Sequence, residues 1–254
     1  MRIPQLECSR FEKALADHGF DRTPTADGEW LVGRSTQHPV PVWLRYEADG
    51  SMSLASTSSK LRRAMEDDGF ASQREETLSG GGWFFSNADF SSLYRALGRF
   101  AAFARSLPNQ VAERFATATR QLPQTTEAER LVVQRVGQDL FREALIDFWE
   151  GRCAVTGLDV VPLLRASHIK PWSACKSDDE RLDVFNGLLL APHLDALFDG
   201  GWISIGTDGR VVVSGQLSPH ARELLNVHEG REVHRISQYH QLYLQDHRSE
   251  IFRR

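Results

Sequence analysis

The chain of 254 residues is 41% hydrophobic and 25% charged, which excludes a disordered or fibrous protein and leaves room for one large or two modest folded domains. No stretch approaches the roughly 18 apolar residues of a membrane span, and Met1–Arg10 lacks a charged-then-apolar leader pattern, so a cytoplasmic location without a membrane partner is expected. The net charge of −4, with 15 Lys+Arg against 15 Asp+Glu in residues 1–126 and 15 against 19 in 127–254, excludes a strongly basic phosphate-binding domain, so any nucleic-acid surface must be a local patch.

Ser9–His18 sets Phe11, Ala14 and Leu15 on one face behind a serine and predicts a short helix. Trp30–Val32, Val40–Tyr46 and Ser51–Ala55 are separated by Gly-, Pro- and Asp-Gly-containing turns and predict strands of a small antiparallel sheet. Ser58–Asp68 predicts a helix, and Gly80-Gly81-Gly82 a joint ahead of a short strand at Trp83-Phe84-Phe85. Asp89–Ser106 predicts a helix whose buried face holds Leu93, Leu97, Phe100, Ala101 and Phe103. Leu107-Pro108 ends it, and Gln121–Thr126 is a second punctuated stretch. The domain boundary is therefore expected near Gln121, with an α+β unit over residues 1–120 and a second domain over 121–254.

Thr126-x-x-Glu129 matches a capping box and opens a helix to about Trp149, expected to bury Val133, Val136, Leu140, Ala144, Leu145 and Phe148. Its other face carries Gln134, Arg135, Gln138 and Arg142, either solvated or set against a nucleic-acid backbone. Ala166–Trp172 reads as a strand end and a proline-stopped loop, Asn186–Leu190 as the apolar lead-in to a helix, and Pro192–Phe198 as that helix. Trp202–Ile205 and Arg210–Ser214 read as a hairpin around Asp208-Gly209. Ser218–Leu225 and Ile236–Phe252 predict two more helices. His234, His240 and His247 share no i, i+4 face and read as packing or surface residues. The cysteines Cys8, Cys153 and Cys175 make neither a disulfide framework nor a zinc ribbon. The turn Cys153-Ala-Val-Thr156-Gly157 lacks a second thiolate and is expected to be held by packing alone.

Four motifs then follow one another: Cys153-x-x-Thr156-Gly157, Ala166-Ser167-His168-Ile169-x-Pro171, Asn186-Gly187-Leu188-Leu189-Leu190, and His193 with Leu197-Phe198-Asp199-x-Gly201. Over about residues 134–214 they resemble the HNH endonuclease family, in the branch found at the C-terminus of restriction-type endonucleases. The resemblance implies an α+β protein with a C-terminal ββα-metal nuclease core, acting as a metal-dependent DNA endonuclease in restriction or phage defence. The resemblance does not extend to residues 1–120, which are the expected place for target recognition.

Phosphodiester hydrolysis needs a base to activate water and a divalent cation to stabilise the charge on phosphate and leaving oxygen. A histidine, with an unperturbed pKa of about 6.5, can be neutral and competent at cellular pH, and His168 is the candidate base. The family's asparagine matches Asn186, to which an orienting role is assigned, and His193 completes the His–Asn–His set. Asp195 and His193 are the candidate metal ligands: Asp195 suits Mg²⁺ or Mn²⁺, and His193 a softer ion such as Zn²⁺ or Ni²⁺. Two residues apart on a helix, they do not point the same way. Relatives place an aspartate just before the first histidine, where this chain has Ser167. Asp199 is expected to be a structural cap. Arg165, Lys170, Arg135 and Arg142 are the candidate DNA contacts, and Trp172 a packing residue. Trp30, Trp43, Trp83, Phe84 and Phe85 form either a core or a surface on which a base stacks. Two alternatives stay open: a DNA-binding protein with a degenerate site, to which Ser167 and the mild acidity point, and a regulatory interaction module. Cutting both strands takes two active sites, with which a homodimer is compatible.

Overall fold

The structure, a computed structural model, describes residues 3–78, 81–123 and 126–254, with backbone alone at 108–110. Gly80 of the expected joint and residues 124–125 of the expected boundary stretch lie outside the described residues. The chain divides into two compact units, Met1–Arg105 and Ser106–Arg254. The division thus falls ahead of helix Pro108–Thr119 rather than near Gln121, because that helix packs on the one that follows it.

In the first unit a six-stranded antiparallel sheet is ordered β1-β2-β3-β4-β6-β5. Its strands are β1 (Arg22–Asp27), β2 (Trp30–Arg34), β3 (Val42–Tyr46), β4 (Met52–Ser56), β5 (Ser72–Glu75) and β6 (Gly82–Asn87). The helices are α1 (Gln5–Asp17), α2 (Ser59–Asp67) and α3 (Phe90–Ser106). Helix α1 begins four residues before the expected Ser9, which lies inside it. Ser58 caps α2 by accepting from the Leu61 N–H, and the five apolar residues expected inside α3 are all buried. Strands β1 and β5 escape a reading by apolar pattern because they are polar sheet edges, β1 with a proline and a register shift between Arg22 and Thr25.

Alternation along the strands gives the sheet two faces. Leu31, Leu44, Leu54 and Phe85 stand in one cross-strand row, and Val32, Trp43, Ala55 and Phe84 in the row on the opposite face. Gly33 lets Leu15 of α1 close onto the first face, since a side chain there would overlap it. Trp30, Val32, Trp43, Ala55 and Leu78 form a core on the second face. The five aromatics therefore divide: Trp30, Trp43 and Phe85 are core, and Trp83 and Phe84 are half-buried. The guanidiniums of Arg62 and Arg74 lie over the Trp83 ring, 4.3 and 5.8 Å from its centroid.

The second unit opens with α4 (Pro108–Thr119) and α5 (Glu127–Phe148). The Thr126–Glu129 capping box forms, worth about 1 kcal/mol of helix stability. Ala144, Leu145 and Phe148 of α5 are buried as expected, but the first half of the helix differs: Gly137 and Phe141 are inside, while Val133, Val136 and Leu140 are only half-buried. Next come β7 (Arg165–His168), the short helix α6 (Asp178–Arg181), β8 (Gly187–Leu190) and α7 (Pro192–Asp199). Residues 187–190 were expected to lead into a helix; they form a strand antiparallel to β7, with Ser167 opposite Leu188 and His168 opposite Gly187. The hairpin β9 (Ile203–Ile205) and β10 (Val211–Val213), then α8 (Pro219–Leu224) and α9 (Gln238–Asp246), complete the unit. A π-helical turn, His247–Ile251, follows α9.

The Cys153 turn is held by more than packing. Its sulfur accepts the Thr156 and Ala191 N–H groups at 3.4 and 3.3 Å, and Ala154 N–H donates to the Leu189 carbonyl at 2.8 Å. Gly157, at φ +74°, closes the turn by donating to the Cys153 carbonyl. These bonds fasten the turn to β8 and to the start of α7. No helix of the described residues is long and apolar enough to cross a membrane.

Candidate active site

His168 ends β7, where its half-buried ring is stacked on Phe141 of α5, centroids 3.9 Å apart and planes 16° from parallel. Gly187 makes this possible: a Cβ on the partner residue would stand 2.5 Å from the Phe141 ring and 2.8 Å from Leu145. The Trp172 ring meets the imidazole edge-on at 5.6 Å, and Gly137 of α5 leaves room for that indole. The imidazole is thus clamped by two aromatic rings, which leaves its orientation to hydrogen bonding.

Nε2 of His168 lies 2.9 Å from the carbonyl oxygen of Arg181. A carbonyl only accepts, so the proton of the neutral ring resides on Nε2 and the lone pair on Nδ1. Nδ1 has no hydrogen-bond partner among the described residues. Burial lowers the pKa below the ordinary imidazole value, and the bond to the carbonyl offsets this in part. The ring is therefore neutral near pH 7, with one nitrogen fixed and the other able to accept a proton.

Asn186 is fully buried at the end of a 3₁₀ turn. Its Oδ1 accepts the Lys170 N–H at 2.8 Å, and its Nδ2 donates to the carbonyls of Glu180 and Lys170 and to the Cys175 sulfur at 3.0, 3.3 and 3.4 Å. One amide therefore ties the chain just after the histidine to the chain that carries Arg181.

Asp195 and Asp199 lie one turn apart on α7. The buried Ser167 hydroxyl donates to Asp199 Oδ1 at 3.2 Å. Both carboxyls are pushed above the ordinary range, first because surrounding protein displaces water from them; for Asp199 the charge of Asp195 adds to this. Ser167 pulls both back, and Arg165 also lowers Asp195. Asp199 therefore ties the end of α7 to β7 through Ser167. His193 is exposed two residues before Asp195. Among the described residues no group of three or more His, Cys, Asp or Glu side chains is arranged to hold a metal, so His168, His193 and Asp195 do not converge as one ligand set.

The four candidate cations differ. Arg135 and Arg165 are exposed. Lys170 Nζ is 3.1 Å from Glu180 Oε2. Arg142 is turned inward, donating to the Leu164 and Val161 carbonyls at 2.7 and 3.0 Å, because the chain folds back over α5 there.

Residues 153–206 match the sequence profile of a family described as HNH endonuclease. This segment belongs to the HNH endonuclease family. The match spans the Cys153 turn, β7, β8, α7 and β9, and a module of this family implies nuclease activity on nucleic acid. No curated protein matches the chain. Reasoning from the HNH motifs missed two supports of the histidine, Phe141 and Arg181. Gly187 is the signal for the first, since a glycine inside an apolar strand run marks a close neighbour; Arg181 carries no local signal.

Proposed function

We propose that the C-terminal unit is a metal-dependent DNA endonuclease in which His168 is the general base. The observation that carries this reading is the Nε2 bond to the Arg181 carbonyl, which leaves Nδ1 as the acceptor in a ring kept neutral by burial. In this mechanism Nδ1 takes a proton from water as its oxygen attacks phosphorus, and the imidazolium that forms is steadied by the carbonyl dipole on Nε2. Asn186 holds the flanking loop in place and stays out of the chemistry. Arg165 is the cation best placed for a phosphate, being exposed on β7, and Arg135 a more distant one; Lys170 serves only if it leaves Glu180.

HNH nucleases generally use a divalent metal, and the donor set tests the fit. Two carboxyls one helical turn apart, both pushed up by burial and Asp199 further by the charge of Asp195, with Asp199 held by a serine hydroxyl, suit a hard cation such as Mg²⁺ or Mn²⁺. Asp195 and Asp199 would hold it, with Asp199 standing in for the aspartate that relatives carry at Ser167; exposed His193 would join only for Zn²⁺ or Ni²⁺. Bound there, the ion would supply charge stabilisation on the phosphate and the leaving oxygen. The resemblance to the restriction-type branch supports a role in restriction or phage defence, with target choice in the first unit and a homodimer serving two strands.

Full-length protein incubated with supercoiled plasmid across Mg²⁺, Mn²⁺, Zn²⁺ and Ni²⁺ tests the proposal. The wild type is expected to nick and linearise, and His168→Gln to lose about 10²-fold or more. Undiminished cleavage by His168→Gln removes the base. Binding without cleavage in every metal would instead select a degenerate, DNA-binding site, the reading favoured by the lack of a three-residue ligand group among the described residues.

A further inference from the structure

The 18 residues between β7 and β8 contain no strand, yet one of their carbonyls decides which nitrogen of His168 is the base. That carbonyl belongs to Arg181, the last residue of α6, and its own side chain reaches back across the same loop. Nε donates to the Trp172 carbonyl at 3.3 Å, Nη2 to the Cys175 carbonyl at 2.9 Å, and Nη1 to Asp178 Oδ1 at 2.8 Å. The guanidinium carbon lies 5.7 Å from the centroid of the Trp172 ring, whose edge-on contact with His168 closes one side of the imidazole. One planar fork therefore fastens both the turn carrying the indole and the residue presenting the carbonyl.

We propose that Arg181 is a positioning residue for the base: its guanidinium locks the 172–181 loop so that its own carbonyl holds the Nε2–H of His168 and leaves Nδ1 facing the reaction. Asn186 fixes the Glu180 carbonyl, one residue before. Arg181 fixes the next, and neither anchor alone sets the angle at which that peptide meets the ring. Three different nitrogens of the guanidinium meet three different acceptors, which suits a rigid fork with several donors and not the single ammonium of lysine. Asp178 on the same helical turn keeps the guanidinium from swinging out to solvent. The inference rests on His168 being the base, and it adds what fixes the tautomer.

The test reads the tautomer directly. In full-length protein labelled with ¹⁵N-histidine, the ring signals of His168 are assigned by their loss in His168→Gln. At about pH 8, where an imidazole is neutral, the wild type is expected to carry its proton on Nε2. Arg181→Lys is expected to keep the melting curve but give a mixture of Nε2–H and Nδ1–H forms. The kcat for DNA should fall about 10- to 100-fold at unchanged KM, the usual scale for losing a group that orients a functional imidazole. A single Nε2–H form in Arg181→Lys overturns the proposal. If lysine is not tolerated, Arg181→Gln is read in the same way, and a wild-type ring protonated on Nδ1 overturns the proposal without any variant. A wild type that has the Nε2–H form but cuts nothing sinks the nuclease reading while the tautomer still decides the role of Arg181.

Discussion

Two histidines in the second unit are built almost alike. His168 is stacked on Phe141 at 3.9 Å and 16°, and His247 on Phe198 at 3.9 Å and 13°. Each sets Nε2 against a main-chain carbonyl, Arg181 at 2.9 Å and Phe198 at 3.0 Å, and burial lowers the pKa of each. They part at the other nitrogen. Nδ1 of His247 lies 3.0 Å from the Ser204 hydroxyl in a site that is 1% exposed, while Nδ1 of His168 is unpartnered among the described residues on a half-buried ring. Stacking, burial and a depressed pKa therefore do not make a histidine a base. A fixed proton on one nitrogen and an available lone pair on the other do.

Replacing each ring by glutamine breaks the comparison where the expected effect is largest. His168→Gln should lose about 10²-fold or more in cleavage with little change in melting. His247→Gln should cut DNA normally per folded molecule and lose about 1–3 kcal/mol in denaturant unfolding, because it removes a satisfied buried pair of hydrogen bonds. Cleavage that falls equally in both variants would mean that the two sites are not separable. A smaller perturbation moves one platform alone. Gly187→Ala forces the Phe141 ring and Leu145 to give way, at about 1–3 kcal/mol for an overpacked core. It should lower kcat in step with a displaced His168 ring signal, leaving the His247 signal in place. An unchanged His168 signal would show that the platform is not what holds the ring.

How much of this was legible follows from where the information lies. His168, Asn186, α7, the β9–β10 hairpin and the capping box of α5 are local patterns, and each was readable from its own few residues. Gly187–Leu190 does lead into α7, but its strand character is not legible because the run is uniformly apolar, buried on both faces, with no period to separate strand from helix. The face of α5 was read through Val133 and Leu140, but the residues that matter are Gly137 and Phe141, chosen by what packs against them. Arg181 and the inward turn of Arg142 were hidden for the same reason: their partners are carbonyls, which leave no mark in a sequence. Asp199 was assigned to its turn, and only the fold brings Ser167 across to it.

A third ring sharpens the comparison at the smallest scale. His240 is fully buried among Phe148, Trp149 and Phe185, and its Nδ1 accepts the Ser237 N–H at 3.2 Å, so its proton also sits on Nε2. No carbonyl meets that proton among the described residues, and burial alone takes the pKa to about 3. Above the ordinary value of about 6.5 both folded and unfolded chains hold a neutral ring, and the site has no pH dependence. Below it the unfolded chain takes up a proton that the folded chain refuses until pH 3 is approached, so stability falls by about 1.4 kcal/mol per pH unit over that window. Glutamine preserves the capping box with Ser237 and does not titrate. Whatever His240→Gln costs at about pH 7.5, it should cost about 1.4 kcal/mol less at about pH 5.5 by urea unfolding. An equal cost at both values would mean that water reaches the ring and that its burial is not what separates it from His168.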